Sequence, residues 1–272
     1  MAEFNVGGQA VIEGVMMRSI DRVATAVRIP SGEILIKSDP YKSLAHRYKI
    51  LNTPVIRGAV AFVEMLIIGI KTLNFSAEIA VREAEKEEAH KKGETVSEHK
   101  KDKSALMIGI SALIALVFGI LIFFFLPLAI SSLFSVDKNA VSFNLIAGAI
   151  RVSIFLSYVW GISFMKDFHR VFEYHGAEHK AIFTYEMKQE LTPENAKNFT
   201  RFHPRCGTSF ILIVALFAIV IYAISDSIYA AIVGYPPALL TRFALHFSLL
   251  PLVAGGSYEI LKFSAKKKEN PV

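Results

Sequence analysis

At 272 residues and 53% hydrophobic, with a mean hydropathy of +0.43, the chain is too apolar for an ordinary soluble domain. Its formal charge is +6, but the basic residues stand beside apolar runs, which points to membrane orientation and away from nucleic acid. The single cysteine, Cys206, excludes an internal disulfide and leaves one thiol for a metal or for chemistry.

The opening MAEFNVGGQA has neither the basic start nor the apolar core of a secretory signal, so this end is expected to stay in the cytoplasm. GGQAVIEGVMMR reads as a strand whose glycines permit close backbone approach. VATAVRI and EILIKSD, separated by Pro-Ser-Gly, read as two more strands around a tight turn. A small cytoplasmic sheet over about residues 5–40, within a β-rich segment 1–50, is the expectation.

Residues 51–103 read as a long helix followed by a charged linker. Arg57, Glu64, Lys71 and Glu78 recur every seven residues on an otherwise apolar stretch, so they make one drifting stripe. Such a helix lies in the membrane interface or packs under other elements rather than crossing alone. Four later stretches reach the roughly 20 residues that a crossing helix needs: 104–134, 141–165, 208–231 and 238–261. His246 and Pro251 interrupt the last, and Pro127 and Pro251 are expected to kink their helices. Lysine and arginine crowd residues 82–103, 166–205 and the tail 262–272, whereas the opposite loops offer only Lys138 and Arg242. Both termini and the segment 166–207 are therefore expected in the cytoplasm.

That polar segment carries the chemistry. In HGAEH, His175 and His179 are four apart and share a helical face, with Glu178 beside them. Two such imidazoles can hold one ion, and the H-x-x-E-H order is that of the inverzincin peptidases. Downstream, RFHPRCGTSF puts His203 and Cys206 three apart beside Arg205, at the start of a span. A thiol there is readily ionised and suits zinc in a reducing compartment. Four ligands, His175, His179, His203 and Cys206, would make a closed structural zinc site, and three would leave a position for water. Glu259 is a rival third ligand, and Glu13, Arg18 and Glu64 are candidates for supporting or substrate contacts. Arg151, deep in the second expected span, needs a partner there, with Glu64, Glu259 or a lipid phosphate the candidates. Asp226 and His246 read as a local polar pair.

Together GGQAVIEGVMMR, YHGAEHKAI, RFHPRCGTSF and LPLVAGGSYE resemble the YqhQ-like family of bacterial integral membrane proteins, a family of unknown function labelled as predicted metal-dependent enzymes on the strength of these histidines. The resemblance implies functional roles for Glu13, Arg18, His175, Glu178, His179, His203, Arg205, Cys206 and Glu259. Ser19 and Ile20 stand where the family pattern has Gly-Pro, which leaves that turn open.

The expectation is thus a mainly α, polytopic membrane protein with about four transmembrane helices, an interfacial amphipathic helix and a small N-terminal sheet. The expected activity is zinc-dependent hydrolysis of a peptide or lipid-linked substrate at the cytoplasmic membrane surface. Glu178 would act as general base, with Arg205 or Arg18 stabilising developing negative charge. A non-enzymatic scaffold with structural zinc, and a transporter or channel, are the rival readings.

Overall fold

β-branched residues in alternation pair residues 7–40 into an antiparallel meander. In the computed structural model, which describes residues 6–92, 101–134, 140–203 and 207–267, its strands are β1 (Gly7–Val11), β2 (Gly14–Arg18), β3 (Arg22–Arg28) and β4 (Ile34–Pro40). They lie in chain order. The expected single strand GGQAVIEGVMMR is in fact a hairpin, turned at Ile12 and Glu13. Glu13 there takes φ 51°, a left-handed conformation that a non-glycine residue adopts at a cost. The β2–β3 turn forms without Gly-Pro: Ser19 Oγ donates to Asp21 at 2.7 Å, and the Ser19 N–H donates to the Arg22 carbonyl at 2.8 Å.

The described chain falls into two units. The first joins the sheet to most of α2 (Ile56–Lys92), to α6 (Lys166–Glu186) and to α7 (Pro193–Lys197). Between sheet and α2 come α1 (Leu44–Arg47) and a 3₁₀ turn. One sheet face packs on α2, with Val11, Met16, Val23, Val27 and Ile68 as the buried core. The row of α2 that faces it is Glu64, Ile68, Thr72 and Ser76, all buried. This corrects the seven-residue stripe. Packing on the sheet follows the four-residue ridge of the helix, so Glu64 is buried while Lys71 and Glu78 are exposed. The opposite face of α2 leaves Phe62, Val63, Leu66, Ile67, Ile70 and Leu73 exposed. The helix is apolar outside and partly polar inside.

The buried Glu64 carboxylate is fully used. Tyr41 and Ser43 donate to it at 2.5 and 2.9 Å, the Leu44 N–H at 2.6 Å, and Arg18 stands 3.9 Å away. Burial and this carboxylate push the Tyr41 hydroxyl up to about 12. The cluster ties the chain after β4 to α2.

The second unit holds the apolar helices: α3 (Lys101–Ile120), a π turn (Leu121–Phe125), α4 (Leu126–Ser132), α5 (Ala140–Ile162), α8 (Gly207–Val233), α9 (Leu239–Ser248) and α10 (Leu250–Lys267). Three segments, Leu113–Ser132, Ala140–Ile162 and Phe210–Val233, are long and apolar enough to cross a membrane. A fourth is made by α9 and α10 if that pair, bent by 49°, counts as one. The bend falls between His246 and Pro251, with Pro251 in the first turn of α10, where its missing N–H is not needed. Pro127 likewise opens α4 after the π turn.

Three polar expectations are corrected or extended here. Arg151 pairs with neither Glu64 nor Glu259; its Nε donates to the Phe123 carbonyl at 3.1 Å, inside the π turn. Glu259 is instead gripped by both arms of the Arg57 guanidinium. Arg242 is no loop charge but is 1% exposed in α9, 3.2 Å from Asp226. His246 and Asn144 complete that cluster at 2.9 Å each from the same carboxylate, and Tyr222 stacks on the His246 ring. A buried carboxylate requires this many partners in an apolar surrounding.

Candidate functional site

α6 packs on the sheet face opposite α2, and glycine sets how closely. Side chains alternate along β1: Gln9 points at Gly69 of α2, while a Cβ on Gly8 would lie 2.8 Å from Glu178 Cγ and Oε1. Any side chain at position 8 would displace that carboxyl. At the other end of the hairpin, Glu13 accepts hydrogen bonds from the Tyr174 hydroxyl at 3.0 Å and Arg170 Nε at 3.1 Å. The strained turn therefore holds the residue next to His175, and α6 is fixed at two points along its length.

Glu178 and His179 are 5% and 6% exposed. Burial alone pushes the Glu178 carboxyl up to about 7, because an apolar setting penalises the charged form. On the same helix the His175 and His179 rings stand 4.5 Å apart. The loop after α7 returns to this face. The Arg201 carbonyl lies 2.5 Å from His179 Nδ1, so Nδ1–H donates, the kind of contact that orients a metal-binding imidazole. His203, 6% exposed, has its ring 5.8 Å from that of His179 and 4.5 Å from Phe183. Its Nε2 is 3.4 Å from Glu186. Burial, then His179, lowers the basicity of both His175 and His203, favouring the neutral form that ligates.

Two imidazoles on one tetrahedral zinc, with Zn–N of about 2.0–2.1 Å, have ring centres about 5 Å apart. The 4.5 and 5.8 Å separations fall on either side of that spacing. Among the described residues no three His, Cys, Asp or Glu groups close around one point. Cys206 and Arg205 lie outside the described residues.

The structure thus brings His175, His179 and His203 together, while Glu178, on the same helix, lays its carboxyl against Gly8 of β1 and Glu13 supports the helix. Arg18 and Glu64 belong to the α2 face of the sheet, the wrong side for Glu178. Glu259 is held by Arg57. Sequence reading missed Tyr174, Arg170, Glu186 and the Arg201 carbonyl. The glycines of the first strand were read as permitting close approach, and the structure supplies the partner, Glu178 on Gly8.

These features define a class: a mainly helical chain with three or four membrane-length segments and a histidine–glutamate helix docked on a small antiparallel sheet. Residues 53–272 match the family described as a protein of unknown function, DUF1385. The uncharacterized protein YqhQ of Bacillus subtilis (strain 168) is 30% identical over 273 residues, which cover 97% of this chain and 80% of that one. The chain belongs to this YqhQ-like family. No solved structure matches it.

Proposed function

We propose that the protein is a zinc-dependent hydrolase of the bacterial cytoplasmic membrane, acting at its inner surface on a peptide or lipid-linked substrate. The observation that carries the reading is Glu178: a buried carboxyl, pushed up to about 7, on one helix with two imidazoles whose rings are 4.5 Å apart. A general base works best with a pKa near the working pH. His175 and His179 would hold the zinc, with His203 or Cys206 completing the set. When bound, zinc supplies a Lewis acid that makes water more acidic and polarises a carbonyl. Glu178 takes the proton of the attacking water and passes it to the leaving nitrogen or oxygen.

The apolar outer face of α2 lies on the membrane surface, as an interfacial helix does. The polar segment between α5 and α8 faces the cytoplasm together with both termini, following the lysines and arginines within it.

The test is Glu178→Gln, which keeps shape and hydrogen bonding but removes the base. The variant should retain zinc and fold, while turnover of a cleavable substrate, or complementation of a deletion strain, falls roughly 10²–10⁴-fold. Full complementation by a zinc-loaded variant would end the hydrolase reading. The structural-zinc alternative expects weaker zinc retention instead, on the order of 10–100-fold, because Glu178 would then only orient the ligands.

A further inference from the structure

We propose that the outer edge of β1 takes up an extended polypeptide as a fifth strand of the sheet, which makes peptide segments the substrate of the Glu178 site. This rests on the hydrolase reading and chooses between its two substrate classes. The two-residue turn fixes which backbone groups face outward. Val11 and Gly14 flank it, so Val11, Gln9 and Gly7 exchange hydrogen bonds with β2, and the N–H and C=O of Gly8 and Ala10 point to the edge. At Ile12 the edge is closed, because its N–H donates to Ser76 Oγ at 3.2 Å. Gly8 and Ala10 are partly exposed. Among the described residues neither backbone makes a bond beyond its pairing with β2.

Exposed strand edges are normally blunted by charge, proline, a bulge or a covering element. GGQAV carries no charge and no proline, and although α6 packs over the sheet face at β1, Gly8 and Ala10 keep part of their surface open. Four alternating donors and acceptors on Gly8 and Ala10 match a polypeptide main chain. A strand pairing there runs about 4.8 Å from β1, within reach of the carboxyl that rests on the Gly8 Cα. The same surface suits a phosphate head group poorly. Arg18 faces α2, and Arg170 is engaged by Glu13 and Glu173.

The experiment uses the full chain in detergent and a pool of random-sequence decapeptides carrying a benzophenone. Irradiation then captures even weak binders covalently. A second pool is N-methylated at alternate amides, which removes the donors a fifth strand needs. The wild type and Glu178→Gln should both capture the first pool, and capture of the second should fall roughly tenfold. Ala10→Pro should lower capture by a similar factor while Ala10→Ser does not. Proline is tolerated at this position because the Ala10 N–H points away from β2.

Equal capture of the two pools by the wild type, or no capture at all, would overturn the proposal even if Ala10→Pro failed to fold. Cleavage of the first pool with no dependence on Ala10→Pro would end the edge proposal and leave the hydrolase. Capture that depends on main-chain amides, with no cleavage by any variant, would end the hydrolase reading and leave the edge.

Discussion

Glu178 is pushed up to about 7 from the ordinary 4.5 by burial, so the folded protein holds its proton more tightly than the unfolded chain does. The stability this contributes is fully present below pH 4.5 and is lost as pH rises through 7. By linkage the swing is on the order of 3 kcal/mol. Glu178→Gln stays neutral throughout and should escape the loss. In chelator-treated protein it should be more stable than wild type by about 2–3 kcal/mol at pH 8, with the two nearly equal at pH 4. Unfolding in detergent at both pH values checks this, and parallel curves would show that the carboxyl is not desolvated. The histidines and this glutamate were legible in the sequence because their spacing is local to one helix. The partner of Gly8 was not, because that contact joins two segments distant in sequence, as the neighbouring Glu13–Tyr174 bond does across 161 residues.

Helix α2 shows what periodicity hides. Its charges recur every seven residues, yet the buried row is Glu64, Ile68, Thr72 and Ser76, chosen by the sheet that packs on it. The strands around Pro-Ser-Gly were legible because glycine there takes φ 90°, as the turn requires. The β1–β2 turn was hidden because a glutamate occupies the left-handed position that glycine or asparagine normally fills. The apolar outer face of α2 carries its own expectation. A bimane attached at Ile67→Cys in a Cys206→Ala background should be quenched by lipids brominated in their acyl chains. Ile67 is 50% exposed, so the label has room. A bimane at Glu190→Cys, in the exposed loop before α7, should not be quenched, and equal quenching of the two would remove α2 from the interface.

For the whole molecule, the three apolar helices, or four with the bent pair, were legible from composition. The Asp226–His246 pair was legible too, but the other partners of the charges were not: Arg57 with Glu259, and Arg242 and Asn144 with Asp226, come from different helices. Orientation is tested by the same Glu190→Cys variant in the Cys206→Ala background. In intact cells it should resist a membrane-impermeant maleimide and react once the cells are opened. Labelling from outside would reverse the topology and remove the reducing setting on which a zinc-binding Cys206 depends.

The meander and α2 are contiguous in the chain, and their contacts are local, so they are suited to form early while the rest is still being synthesised. Glu178 arrives only after α3, α4 and α5 have been made. Until α6 docks on β1, its carboxyl is in water and has the weak basicity of an ordinary glutamate. The raised proton affinity of this carboxyl therefore appears in one late step, when Gly8 receives the side chain for which a Cβ would leave no room.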